Sequence, residues 1–407
     1  MGQKVKVLKE VLPNGVTILL KPTEGMGIAA GSVFIRGGIL DETLPGSTHL
    51  TTYLLLKGSR RFDKDRISEV FEDYGGGIGA STADEYSIVE FATKVEGLKE
   101  GLEVLGSVLL EPLFPEEDVE REKKNALAAI RSRREHPFRF AYLELKKLTY
   151  RGTPYERDTL GDEESVLKFD RRWAQRRWEE LLKGGRIVVS LVGDFEKPTE
   201  VLGLLRETFS AVPGGEFRYP EYRKEVERDE LKTVKREGSQ ATILCAFNFP
   251  HYRSEEYWAG KVLNAVLGDG FTSLLFRELR EKKGYAYATT SFYPTKVGSP
   301  RLFAYAGTSP EKAADAYRDM LSVIKEMPFG REEVEVAKRK IVGDWLMDHQ
   351  TRARQAWYLG WFETIGMGFE TDFEYADKIR EVSFEEVLRV RERYLTAGPH
   401  HAVVVSP

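Results

Sequence analysis

Apolar and polar positions along this chain alternate between a two-residue and a 3.6-residue period, and the sequence of periods runs through the chain twice. The β-rich runs 4–11 and 16–20 flank Pro13-Asn14-Gly15, a hairpin signal. Residues 31–38 read as a strand, and the segment around His49 as a helix. In 63–74, Ile67, Val70, Phe71 and Tyr74 fall on one helical face. Residues 85–93 alternate as a strand, 98–110 are helical, and longer helices cover about 115–134 and 139–149. The half closes on a strand at 186–192, before Gly193-Asp194-Phe195.

The pattern then restarts. A strand at 241–247 precedes helices at about 254–267 and 271–282. Strands at 284–293 and 301–307 lead into helices across 310–326, 331–364 and 371–394, and 402–405 is a last short strand. Between the halves, Val212-Pro-Gly-Gly-Glu and the charged run 222–232 interrupt both periods. This divides the chain into domains at 1–209 and 233–407 with a linker at 210–232. Strands followed by runs of helices indicate an α+β fold, each domain an antiparallel-type sheet covered by helices on one face.

Composition narrows the setting. The chain is 41% hydrophobic and 31% charged over 407 residues. That is enough for two or three substantial cores under a charged surface. Four Asn, five Gln and one Cys stand beside 61 Lys and Arg. This balance matches the pattern of thermophilic proteins. The lone Cys245 lies in an apolar run and reads as a buried structural thiol, so no internal disulfide is expected. No signal-peptide region and no long apolar stretch is visible, which leads us to expect a cytoplasmic protein with no membrane association. The net charge of −4 argues against a nucleic-acid partner. The basic run Arg171–Trp178 reads as a solvated helix capped by Asp170.

Candidate chemistry begins at Gly46-Ser-Thr-His-Leu-Thr-Thr-Tyr-Leu-Leu-Leu-Lys-Gly58. Its five central positions are His49, Leu50, Thr51, Thr52 and Tyr53. The segment resembles the inverted zinc motif H-x-x-E-H of the pitrilysin, insulinase and mitochondrial processing peptidase family. In that motif two histidines on one helical face bind zinc, and the intervening glutamate is the general base. The resemblance implies that Thr52 stands at the base position and Tyr53 at the second ligand. A threonine hydroxyl is far too weakly basic for that task, and a phenol, with a pKa of about 10, is a poor ligand. The third ligand of the family is a downstream glutamate. The matching stretch Glu122-Lys-Lys-Asn-Ala-Leu-Ala-Ala129-Ile130 keeps the first glutamate but places Ala129 at the ligand position. One imidazole cannot hold a catalytic zinc that needs about three protein ligands. The resemblance therefore implies that this chain binds no metal or other cofactor, and that zinc belongs to a partner subunit.

The second half carries Leu275-Phe-Arg-Glu-Leu-Arg280-Glu-Lys-Lys-Gly284-Tyr-Ala-Tyr287. It is similar to the family's helix ending L-R-E-K-x-G, followed by a strand with a tyrosine seven residues after the arginine. That pair binds the substrate carbonyl, and a guanidinium with a phenol O–H suits a developing oxyanion. Arg280 and Tyr287 match it residue by residue. The structural alternative is a cation at a helix C-terminus and a core tyrosine.

The run Gly75-Gly-Gly-Ile-Gly79-Ala80-Ser81-Thr82 resembles the turn into the family's substrate-pairing edge strand. It makes Gly77, Gly79, Ala80, Ser81 and Thr82 a candidate peptide-binding edge, or else a plain turn. Gly268-Asp-Gly270 reads as a turn between helices. His136, His251, His349, His400 and His401 show no paired metal spacing, and no G-x-S-x-G appears.

The resemblance spans nearly the whole chain and implies two homologous α+β domains enclosing a chamber. It further implies a non-catalytic subunit of a heteromeric zinc metallopeptidase. Such a subunit would lend Arg280 and Tyr287 to a homologous subunit bearing the zinc motif, for cleavage of peptide substrates. Two alternatives stand beside it: a non-proteolytic structural or peptide-binding protein of the same fold, and an autonomous enzyme with unorthodox ligands.

Overall fold

Strand β3 (Ile28–Arg36) and strand β6 (Ile187–Gly193) are apolar on both faces, and that governs the architecture. The computed structural model describes residues 7–25 and 27–407; the start of the predicted 4–11 strand lies outside them. The chain forms two units. The first contains Met1–Arg131, Asp158–Pro220 and Asp348–Phe373; the second contains Ser132–Arg157, Glu221–Met347 and Glu374–Pro407. The expected boundaries at 209 and 233 follow the linker but miss an exchange, because each unit takes in a helical segment from the other half of the sequence.

In the first unit a six-stranded sheet has the order β1-β2-β6-β3-β5-β4. Its other strands are β1 (Leu8–Val11), β2 (Thr17–Pro22), β4 (Gly77–Thr82) and β5 (Tyr86–Lys94). β1 and β2 form the hairpin predicted around Pro13-Asn14-Gly15. β2 and β6 pair in parallel and all other neighbours are antiparallel, so the sheet is mixed. One face buries Ile18, Leu20, Val33, Ile35, Val89, Phe91 and Leu191 with Leu50, Phe71, Leu105 and Trp178 of the covering helices.

Helices on one face alone do not complete this sheet. Its second face presents Leu19, Phe34, Ile88, Val188 and Val192 to Ala356 and Leu359 of the helix Arg352–Ile365. The approach is close: a Cβ on Gly360 would lie 2.5 Å from Ser190 Oγ and 2.7 Å from the Phe34 ring. Ser190 Oγ donates to the Ala356 carbonyl at 2.6 Å. Arg36 donates to the carbonyls of Glu363 (3.0 Å) and Thr364 (2.9 Å). These are acceptors that a helix end leaves open. Gly366, at φ 80°, supplies the left-handed residue that ends this helix. The single helix predicted over 331–364 is therefore two, Arg331–Asp348 and Arg352–Ile365, with Thr351 capping the second.

The second unit repeats the arrangement. Strands β7 (Glu230–Lys235), β8 (Ala241–Asn248), β9 (Ala286–Phe292), β10 (Arg301–Thr308) and β11 (His400–Ser406) lie in the order β7-β11-β8-β10-β9. β7 begins inside the expected linker. Its charged sequence hides a strand that pairs in parallel with β11 and needs no apolar alternation. One face meets the helix Ala313–Lys325, where the Tyr317 hydroxyl lies 3.0 Å from His400 Nε2. The opposite face meets the helix Pro137–Thr149 from the first half of the sequence, with Phe138 and Tyr142 packed edge-on against Tyr305 and Phe303. Arg301, 1% exposed, donates to Thr149 Oγ1 at 3.2 Å. The predicted helix 371–394 is likewise broken, into Thr371–Glu381 and Phe384–Arg391, by a capping box at Ser383 and Glu386. Cys245 is buried in β8, and its thiol is pushed well up by burial. Among the described residues no helix is long and apolar enough to cross a membrane.

A buried charge network positions the helix Ser47–Leu54. Gly46 at its N-terminus adopts φ 81° and has no side chain to cap it. Glu42 does so from outside, accepting from the Gly46 N–H at 3.0 Å and the Thr48 N–H at 3.1 Å. Arg177, 3% exposed, donates to Thr48 Oγ1 at 3.0 Å and to Asp41 at 2.7 Å, and Arg186 reaches the other Asp41 oxygen at 2.6 Å. Burial would raise the Asp41 carboxyl, but the two guanidinium groups hold it below its ordinary value. Burial pushes Glu42 up to about 7 against the backbone donors and Arg177.

Fragments divided after Pro220 should each expose an apolar sheet face, bind a hydrophobic dye and lack cooperative unfolding when expressed alone. Co-expressed, they should purify as one folded pair; a cooperative melt from either fragment alone would contradict this. The charge network generates a pH prediction. Glu42 titrates higher in the folded than in the unfolded protein, so its contribution is most favourable below its ordinary value of 4.5. It should decline by about 3 kcal/mol as pH rises from its ordinary value of 4.5 through about 7. Asp41, held low, acts oppositely and withdraws stability only as pH falls below its ordinary value of 3.8. Thermal unfolding at pH 5 and pH 8 should show the decline in the wild type and not in Glu42→Gln. Equal pH dependence in both proteins would contradict it.

Candidate functional site

His49 and Tyr53 lie one helical turn apart on the helix Ser47–Leu54, with ring centroids 4.6 Å apart. His49 is half-buried and Tyr53 is 39% exposed. Thr52 belongs to the interior instead, fully buried. Its hydroxyl lies 2.8 Å from the Thr48 carbonyl and 3.0 Å from Ser87 Oγ, and Ser87 Oγ lies 3.0 Å from Thr82 Oγ1. The position where the resemblance expects a base is thus occupied by a link in a hydroxyl chain joining the helix to β5 and β4.

The helix Glu116–Glu135 carries Glu122 and Ala129 about two turns apart on one side. Glu122 is 9% exposed, accepts from Asn125 at 3.1 Å and pairs with Lys57 at 3.0 Å. Burial raises its carboxyl, but the hydrogen bonds from Asn125 and Lys57 bring it below its ordinary value. Ala129 packs its methyl against the core. The donor set is one imidazole, one phenol and a methyl group, which does not fit zinc. Among the described residues no group of three or more His, Cys, Asp or Glu is arranged to hold a metal ion.

β4 is the edge strand of its sheet, paired on one side with β5. Ile78 and Ala80 pack toward the core. Gly77 and Gly79 point the other way, where added Cβ atoms would meet nothing within 4 Å. Ser81 is exposed and Thr82 is tied into the hydroxyl chain. The strand therefore presents an unpaired backbone beside a bare face, the geometry that admits an added strand.

In the second unit, the segment predicted as a helix over 271–282 is regular for barely a turn and then widens into a π-helix at Phe276–Lys282. π-turns cost hydrogen-bond quality and recur at functional positions. Here the turn carries Arg280. Neighbouring cations are paired: Arg277 with Glu333 (3.4 Å), Lys283 with Asp319 (2.7 Å), and Lys282 with Glu278. Arg280 forms no ion pair among the described residues and rests over the Phe276 ring at 5.2 Å. After Gly284 at φ 59° the chain enters β9. Ala288 pairs with Gly307 and Ala286 with Thr308, so Tyr287 is the extra residue of a β-bulge. Its side chain is 62% exposed, and therefore not a core tyrosine. Thr308, fully buried, donates to the Tyr285 carbonyl at 2.6 Å and fixes the start of the bulge. The sequence motif locates this pair; the π-turn and the bulge that present it have no sequence signal.

The model of the insulinase family, peptidase family M16, matches residues 18–163. That of the peptidase M16 inactive domain matches residues 174–341. An uncharacterized zinc protease of Bacillus subtilis, YmxG, is 25% identical over 403 residues, covering 97% of both chains. An uncharacterized zinc protease of Mycobacterium bovis is 26% identical over 98% of this chain and 93% of its own. The crystal structure of a peptidase M16 inactive domain from Pseudomonas fluorescens superposes with a TM-score of 0.92 at 20% identity, covering 99% of this chain and 98% of its own. A protease from Helicobacter pylori superposes at 0.90 with 18% identity, covering 99% and 100%. From its two matched halves and its fold, the chain belongs to the insulinase family of peptidases, M16.

Proposed function

We propose that this chain is a non-catalytic peptidase subunit that holds no zinc itself and completes the active site of a homologous, zinc-bearing partner. The observation that carries the reading is a contrast between two places in the molecule. The zinc and base positions are built into packing, with Thr52 buried in a hydroxyl chain and Ala129 against the core. Arg280 and Tyr287 are both exposed and, among the described residues, lack an ion-pair partner or a core role, on a π-turn and a bulge. A protein that had simply lost its function gains nothing from an exposed, unpaired guanidinium and phenol held by irregular backbone.

In the composite site, the guanidinium and the phenol O–H would donate to the oxygen of the scissile carbonyl as negative charge develops there. Peptide substrates would lie extended, and β4 with Gly77, Gly79, Ala80, Ser81 and Thr82 offers backbone hydrogen bonds without regard to side chains. Absence of a membrane partner and of nucleic acid belongs to the same reading.

The purified chain should carry well under one zinc per molecule after dialysis and cleave no peptide; stoichiometric zinc with chelator-sensitive activity would refute this. Tyr53→His with Ala129→Glu should confer zinc uptake. Adding Thr52→Glu should cost stability, because it replaces a buried hydrogen-bonded hydroxyl with a carboxylate. Failure of the folded double variant to bind zinc at micromolar metal would overturn the ligand alignment.

Co-purification with a homologue bearing the intact zinc motif, followed by a peptide-cleavage assay, tests the central claim. Arg280→Ala should lower turnover of the pair by about 10²–10³, and Tyr287→Phe by a large part of that, without loss of assembly. Arg280→Lys should rescue only in part, since an ammonium lacks the planar fork. Normal assembly with wild-type turnover in both variants would favour the non-proteolytic reading instead.

A further inference from the structure

Arg280 and Tyr287 stand on different elements, a π-turn and a strand bulge, yet two donors to one oxygen need a fixed separation. Most of the chain between them cannot set it. Glu281, Lys282, Lys283 and Gly284 are exposed, and Lys282 reaches only back to Glu278 within its own turn. Tyr285 is the first half-buried residue after the turn, and each part of it is tied to a different place. Its N–H donates to the carbonyl of Leu279, the residue before Arg280, at 2.9 Å. Leu279 is fully buried, so this anchor is fixed in the core. The Tyr285 carbonyl accepts from Thr308 Oγ1 of β10 at 2.6 Å. Its ring lies 5.8 Å from Lys283 Nζ and 5.7 Å from Lys312 Nζ, within range of both cations. Lys283 is held in turn by Asp319 of the helix Ala313–Lys325 at 2.7 Å. Lys312 reaches the Gly284 carbonyl at 3.5 Å.

Turn, strand and covering helix thus meet at one residue that lies between the two donors in sequence. We infer that Tyr285 is a positioning residue, coupling the turn that carries Arg280 to the bulge that carries Tyr287 and so setting their spacing. The inference rests on the composite-site reading proposed above and adds to it how the pair is held. Spacing matters because a misplacement of about 1 Å can cost on the order of 100-fold in rate. Tyr285 contributes its backbone and its ring, so the phenol oxygen is dispensable. Thr308 completes the device from β10, fully buried and donating to the Tyr285 carbonyl. Valine has nearly the shape of threonine without the donor, and serine keeps the donor.

Amide hydrogen exchange of the full chain, read by mass spectrometry, tests the coupling without a partner. Thr308→Val alters only the strand side, yet it should speed exchange in 276–282 about five- to tenfold, the scale of one lost hydrogen bond. Thr308→Ser should keep the wild-type rate. Tyr285→Ala should speed exchange in both 276–282 and β9, and Tyr285→Phe in neither. Acceleration confined to 284–288 in Thr308→Val would overturn the coupling, as would wild-type rates throughout. Equal acceleration in β8 would mark general destabilisation and overturn it as well. Paired with the zinc-motif homologue, Thr308→Val and Tyr285→Ala should each lower kcat about tenfold with KM unchanged. In an Arg280→Ala, Tyr287→Phe background the same changes should add almost nothing, since a positioning residue acts only through the groups it positions. Full additivity there would overturn the inference and leave the composite site standing. Wild-type turnover in Arg280→Ala and Tyr287→Phe would overturn the composite site, and with it the role of Tyr285, whatever the exchange rates.

Discussion

The rest of this structure depends on one constraint: the central strands of the first sheet are apolar on both faces, so both faces must be covered. Leu19, Phe34, Ile88, Val188 and Val192 form the second apolar face. Leaving these side chains in water would cost about 2 kcal/mol each, a total that approaches the ~5–15 kcal/mol by which a domain is stable at all. The cover is the helix Arg352–Ile365, far downstream of β6, and the glycine at 360 lets it approach the sheet closely. The second sheet solves the same problem with Pro137–Thr149, taken from the first half. Neither sheet is completed by its own half of the sequence, so neither half can finish folding without the other.

That constraint also bears on the degenerate metal site. The helix Ser47–Leu54 is fixed at its N-terminus by Glu42, Asp41, Arg177 and Arg186, and along its inner side by Thr52. The scaffold is intact although its ligand positions are altered. Ala129 and Thr52 show how such a site is lost with little strain. Each stands where the sequence resemblance places a charged group, packs or hydrogen-bonds locally, and spares the desolvation of a carboxylate. Arg280 and Tyr287 have not been absorbed in this way. Their backbone is irregular at both residues, and irregular backbone costs hydrogen bonds that a regular helix and strand would keep.

Much of the element order is legible in the sequence. The helix 98–110 matches its predicted span, and β6, β8, β10 and the helices at 116–135 and 137–149 fall within a few residues of expectation. Long periodic segments report their own state because periodicity is a local property. The differences fall where the determining interaction is remote or is a cap. β7 is charged and reads as linker, because its strand state comes from pairing with β11. The segments 331–364 and 371–394 each read as one helix, because the caps at Thr351 and Ser383 lie inside otherwise helical patterns.

By itself, then, the sequence determined the α+β plan and the twofold repeat of that plan, and it singled out the candidate residues, with Tyr53 and Ala129 at the positions where the resemblance expects ligands. These follow from residue type and short-range period, which do not need the fold to be known. Only the tertiary structure decided which helix covers which sheet, that Thr52 points into a buried hydroxyl chain, and that Arg280 and Tyr287 stand exposed on a π-turn and a bulge. Each of those depends on contacts between residues far apart in the chain, or on which backbone groups find partners, and a local pattern carries no record of either.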